Sequence, residues 1–183
     1  MLASNSLKQA EASLSAAGII SAAAEAELLM CHCLEISRGE LATQLVLDTN
    51  LKAPSGFFDL VELRCTRVPL QHITGKAPFR SIELSVGEGV FIPRPETEQV
   101  VQVAIDFLAL LPGEPRALDI GTGSGAIAIS IAKETNAKVT AIELSEAAAE
   151  FARANISALG ANVDLLEGDF MELMGHLPQF DLI

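Results

Sequence analysis

The chain has 183 residues, half of them hydrophobic, and a formal net charge of −12 at neutral pH. That apolar content suffices for the core of one or two domains, and the acidic surface repels phosphate backbones, so direct nucleic-acid binding is not expected as the main task. The longest apolar runs, such as residues 126–129, fall far short of the roughly 20 residues that span a bilayer.

The first ten residues carry one Lys and no apolar leader, so no secretory signal is expected. Cys31, Cys33 and Cys65 are an odd, sparse set, which points to a reducing, cytoplasmic setting rather than a disulfide framework. Residues 7–17 and 22–36 are rich in the helix formers Ala, Leu and Glu, with Gly18 as a stop and Ser21 as a start between them. Ser37-Arg38-Gly39-Glu40 fits a capping box and should open a short third helix through Leu47. Residues 56–67, after Pro54-Ser55, form another amphipathic stretch, so residues 1–70 read as a small helical bundle.

The texture changes at Pro69. Gly and Pro recur as far as Pro95, and Ile82-Glu83-Leu84-Ser85-Val86 alternates, so residues 71–95 read as a β-hairpin linker. Residues 97–111 look like a helix entering a second domain. From Arg116 the pattern is strand (117–120), Gly-rich loop, helix (126–133), strand (138–144), helix, strand (163–166), with a fourth strand beginning at 180–183. Ser145 should cap the second of these helices and Gly160 end it. Strands alternating with helices predict an α/β fold: a partial doubly wound parallel sheet over 96–183 with right-handed crossovers.

The chemistry concentrates at Leu118-Asp119-Ile120-Gly121-Thr122-Gly123-Ser124-Gly125-Ala126. Glycines at a strand-to-helix turn let the backbone approach a ligand closely, and the following helix points amides at it. Gly121, Gly123 and Ala126 also satisfy a dinucleotide pattern, so NAD and S-adenosylmethionine (SAM) both remain open. Glu143 lies 18 positions after Gly125 and could accept from ribose hydroxyls in either case, or be a solvated strand-end acid. Asp169 could accept from an adenine amino group and Phe170 cover the adenine face; the bland alternatives are a loop cap and ordinary core. Asp119 either orients a ligand or ties the loop together.

At this point the chain resembles a known family. Leu118–Ala126 resembles the first motif of class I SAM-dependent methyltransferases, and Glu143 and Asp169-Phe170 match that fold's ribose and adenine positions. More specifically, Gly75…Phe79 followed by Phe91-Ile92-Pro93-Arg94-Pro95-Glu96-Thr97-Glu98 resembles the linker of the release-factor glutamine N5-methyltransferases. The resemblance implies SAM as cofactor, held by Gly121, Thr122, Gly123, Ser124, Gly125, Glu143, Asp169 and Phe170. It places Arg94, Thr97 and Glu98 near the cofactor and the active-site mouth, although Arg94 and Glu98 could instead pair and pin the linker. It implies a peptide-chain release factor as protein substrate, docked by helical residues 1–70, no membrane and a monomer. Residues 96–183 would be the first part of the SAM-binding domain. The family's Asn-Pro-Pro-Tyr motif follows the fourth strand, where this sequence reads Asp181-Leu182-Ile183. The amide grip is therefore expected outside these residues, no catalytic residue is assigned within them, and the chain alone is expected to be inactive.

Other readings weigh less. An NAD-dependent oxidoreductase lacks an arguable acid or base, because there is no Tyr and His72 and His176 read as linker or surface residues. A nucleic-acid amino-methyltransferase conflicts with the charge, and a helical adaptor needs no cofactor loop. Cys31-His32-Cys33 cannot converge on one metal ion from a single helix, where adjacent residues point about 100° apart, so no metal site is expected.

Overall fold

Periodic small and apolar residues set the helices of the N-terminal part. In α1 (Ala3–Ala16) the buried positions are Ala3, Ser6, Ala10 and Leu14, one stripe at helical spacing. It packs on α2 (Ala22–Leu34), and both contact α4 (Phe57–Cys65). Between them, α3 (Arg38–Leu47) starts at the expected box: the Ser37 amide donates to Glu40 Oε2 at 2.7 Å and the Glu40 amide donates to Ser37 Oγ at 3.2 Å. Leu14, Leu29, Met30, Leu41, Phe57 and Val61 fill the core. Arg64 reaches from α4 to Glu25 on α2 as a fork, at 2.5 and 3.3 Å. A short α5 (Leu70–Thr74), where the hairpin linker was expected to begin, completes this unit.

The computed structural model describes residues 1–47 and 50–183. It divides into two units, Met1–Thr74 and Gly75–Ile183. The hairpin therefore belongs with the sheet. Strands β1 (Lys76–Phe79) and β2 (Ile82–Ser85) pair antiparallel, and Ala77, Phe79, Ile82 and Leu84 point into the second core. Alternation made the strands legible; the inward apolar side chains make them part of the domain rather than a tether.

In the second unit α6 (Thr97–Leu108) precedes β3 (Arg116–Ile120), α7 (Ala126–Glu134), β4 (Lys138–Glu143), α8 (Glu146–Leu159) and β5 (Val163–Glu167). The three strands are parallel in the order β3-β4-β5. Helices α7 and α8 both pack on the strands and on each other, and Ile129, Ile131 and Ala148 share one core with Ala117, Val139 and Ala141, as successive crossovers of one hand would place them. Ser145 Oγ accepts from the Ala148 amide and Gly160 closes α8 at φ +59°, as its sequence promised. After β5, a four-residue helix α9 (Phe170–Leu173) and a 3-10 turn (Met174–His176) carry the chain back. Leu182 then bridges Ala117 in parallel, with the Leu118 amide donating to its carbonyl at 2.9 Å. The order thus reverses at β3, which is the doubly wound pattern. All three cysteines are free thiols. Among the described residues, no helix is long and apolar enough to cross a membrane.

Candidate functional site

In an open α/β sheet the crevice for a ligand lies beyond the carboxyl ends of the strands, where the order reverses. Here that point is the end of β3, and the glycine loop leaves from it. Gly121 and Thr122 both donate their amides to the Ile142 carbonyl, at 2.8 and 3.1 Å, which folds the loop over the end of β4. The Gly125 amide closes a turn on the Thr122 carbonyl at 2.9 Å. Gly125 stands at φ +84° and acts as the N-cap of α7. In the first turn of that helix the Ala126 and Ile127 amides have no acceptor among the described residues.

Glu143, at the tip of β4, is 9% exposed. Its Oε2 accepts from the Gly123 amide at 2.8 Å and its Oε1 from the Ser145 amide at 2.9 Å. Each oxygen keeps a second lone pair. The Glu143 carbonyl accepts from the Gly168 amide at 2.9 Å. Gly123, Glu143 and Gly168-Asp169 therefore form one contiguous hydrogen-bonded rim across the ends of β3, β4 and β5. Asp169 is exposed and caps α9, its Oδ1 accepting from the Met171 amide at 2.8 Å. Phe170 opens that helix half-buried.

Asp119 ties the loop together: Oδ2 accepts from Thr122 Oγ1 at 2.6 Å and from the Ala128 amide at 3.2 Å. Burial pushes its carboxyl above the usual range; the hydrogen bonds from Thr122 and Ala128 oppose this, and the nearby Glu143 charge adds to it. Thr122 and Ser124 are buried within the loop.

The second group of expected residues sits differently. Glu98 does not pair with Arg94; its Oε1 accepts from the Arg80 amide at 3.1 Å, and its carbonyl accepts from Arg80 Nη1. Arg80 also forks onto Glu134 of α7 at 2.8 and 2.7 Å, so it pins the hairpin turn to α6 and α7. The Arg94 guanidinium is exposed and without an ion-pair partner among the described residues. Thr97 is half-buried, and its amide donates to the Arg94 carbonyl at 3.0 Å. Upstream of this segment, Val90 lies near the loop: its Cγ2 is 4.0 Å from where a Cβ on Gly123 would stand.

A cavity of about 460 Å³ lies elsewhere, between the strands and the returning segment, lined in part by Arg116, Lys138, Asp164, His176 and Phe180. It contains no residue of the loop or its rim. One contributor escaped the sequence reading: Asn155 of α8, 2% exposed, donates to the Ser124 carbonyl at 2.9 Å. Its signal was available, because Asn155 continues the buried stripe of Ala148 and Ala152.

Residues 5–75 match the PrmC N-terminal domain family, and residues 117–183 match a methyltransferase domain family. A release factor glutamine methyltransferase of Streptomyces coelicolor is 45% identical over 178 residues, covering 96% of this chain and 61% of that protein. Its namesake in Mycolicibacterium smegmatis is 42% identical, covering 96% and 60%. A solved structure, precorrin-6y C5,15-methyltransferase of Geobacter metallireducens, aligns at 24% identity and a TM-score of 0.44, over 54% of this chain and 52% of that one. The chain spans about three-fifths of the length of the curated relatives it matches. Two separate domain matches in one chain, with these relatives along nearly all of it, make the chain similar over most of its length to proteins named release factor glutamine methyltransferases.

Proposed function

We propose that this chain forms the cofactor-binding part of a SAM-dependent enzyme that methylates a glutamine side-chain amide in peptide-chain release factors. The observation that carries the reading is the rim itself. The loop, the β4 tip and the β5 tip (residues 119–126, 142–146 and 167–171) bring carboxylates at Asp119, Glu143, Glu146 and Asp169 and no Lys or Arg of their own; the further carboxylate, Glu167, is paired with Arg153 of α8. The Gly123 amide, which a dinucleotide site would aim at pyrophosphate, is already given to the Glu143 carboxylate. Such a rim disfavours a dianionic pyrophosphate and suits a cationic sulfonium.

The residues present fit that cofactor. Glu143 would accept from ribose hydroxyls with its remaining lone pairs, and the side-chain-free positions of the loop let a ligand come close to the backbone. Asp169 Oδ2 would accept from the adenine amino group, with Phe170 beside the ring. When bound, SAM supplies a methyl group activated by the positive sulfur. A glutamine amide nitrogen is a poor nucleophile because its lone pair is delocalised, so positioning, able to supply roughly 7–11 kcal/mol, would dominate the rate. Glu98 and Arg80 would hold the Arg94–Thr97 segment at the mouth of the site. Residues Met1–Thr74 would dock the release factor, a reading supported by the match to the PrmC N-terminal domain. The free thiols are compatible with a cytoplasmic setting.

Calorimetric titration of the 183-residue chain with S-adenosylhomocysteine and, separately, NADH tests the cofactor reading. The expected result is binding of the first only. Glu143→Gln should weaken it about 10- to 100-fold, because an amide must turn its NH2 toward either the Gly123 or the Ser145 donor. Binding of NADH alone would overturn the proposal.

A further inference from the structure

We infer that Asn155 is a positioning residue for the glycine loop, which it couples to the β1–β2 hairpin; the inference rests on the cofactor reading above. Asn155 projects from α8 into the core at 2% exposure, with every polar atom of its side chain engaged. Its Oδ1 accepts from the Ser85 amide at 2.7 Å, and Nδ2 donates to the Ser85 carbonyl at 3.0 Å. The side chain thus pairs with Ser85 as a residue of a neighbouring strand would. The second hydrogen of Nδ2 goes to the Ser124 carbonyl at 2.9 Å.

That last bond fixes a plane. The Ser124 carbonyl and the Gly125 N–H belong to one rigid peptide unit. Asn155 holds its oxygen, and the Thr122 carbonyl holds its N–H at 2.9 Å. The loop turn is therefore clamped from both ends of one peptide, while Glu143 fixes the Gly123 amide. Without Asn155 the Ser124–Gly125 peptide is held from one side only and can rotate. A loop that is competent for only a fraction of the time binds its ligand more weakly by that fraction. The same side chain holds Ser85, so the hairpin and the loop are set by one amide.

The test uses the full chain with Asn155→Asp and Asn155→Ala. The first keeps the shape but presents acceptors to two carbonyls; the second removes all three bonds. Phe151→Leu serves as a control, since the Phe151 ring sits 2.8 Å from where a Cβ on Gly87 would be and takes no part in the loop's hydrogen bonds. Both Asn155 variants should weaken S-adenosylhomocysteine binding about 10- to 100-fold. They should also move the Gly123 and Gly125 amide resonances in the ligand-free protein. Phe151→Leu should lower the melting midpoint yet keep affinity within about twofold. Asn155 variants that bind as the parent does, or whose loop resonances stay in place, overturn the inference. So does complete loss of amide dispersion in both, which would make Asn155 a staple of the fold alone. If the parent chain does not bind S-adenosylhomocysteine, the cofactor reading fails, and the ligand-free loop resonances by themselves decide the role of Asn155.

Discussion

Gly125→Ala separates two costs that the glycine loop combines. Gly125 sits at φ +84°, and a Cβ there would stand 3.0 Å from Ile129 Cδ1, 3.5 Å from Ile129 Cγ1 and 3.7 Å from Ala152 Cα. Left-handed backbone costs an Ala residue about 1–2 kcal/mol. Ile129 and Ala152 are both fully buried, so the added methyl must also displace packed side chains, for about 1–3 kcal/mol more. Gly121 is at φ +75° with nothing within 4 Å of its Cβ position, so Gly121→Ala should cost the backbone strain alone. Urea unfolding, followed by far-UV circular dichroism and by the backbone amides of β4, should rank Gly125→Ala as the more damaging by at least about 1 kcal/mol. Removing Ile129 Cδ1 should relieve the clash: in a double-mutant cycle, Gly125→Ala with Ile129→Val should show favourable coupling of about 1 kcal/mol. Equal losses at the two glycines, or zero coupling, would refute the steric argument.

Two further outcomes follow from buried groups. The raised Asp119 carboxyl binds its proton more tightly folded than unfolded, so its contribution is full at low pH and declines as pH rises from the ordinary Asp value, about 3.9, through the raised one. Both of its hydrogen bonds fall on Oδ2, so Asp119→Asn can keep them; urea midpoints across that window should show a smaller decline in the variant, and an unchanged slope would contradict the assignment. Phe57 is fully buried and meets Phe58 edge-on at 5.2 Å, so Phe57→Ala should cost the N-terminal unit about 3–5 kcal/mol in the same unfolding assay, and a loss under about 2 kcal/mol would show that its core collapses onto the space.

Much of the fold was legible because its signals are local. The Ser37–Glu40 box, the Ser145 cap and the Gly160 stop all act within one turn of helix. The alternation of Ile82–Val86 and the strand–loop–helix order after Arg116 needed no distant information. The short helices α5 and α9 were not legible, since four or five residues carry no periodicity to read. For Asp119, whose role the sequence left open, the structure shows the tie within the loop, to Thr122 and Ala128. Glu98 illustrates the opposite case: its partner is Arg80, 18 residues upstream, rather than the nearer Arg94.

The sequence by itself determined the two kinds of element, helices before a hairpin and then alternating strands and helices, and it located the glycine loop with the acids at the following strand tips. Helical and strand periods and capping chemistry are properties of neighbouring residues, so they are written where they act. Tertiary structure alone decided that the order reverses at β3, that Glu143 gives one oxygen to Gly123, and that Asn155 meets Ser85 across 70 residues. Those pairings depend on which strand lies beside which and on how α8 is rotated against the hairpin. A buried polar side chain must find partners wherever packing has brought them.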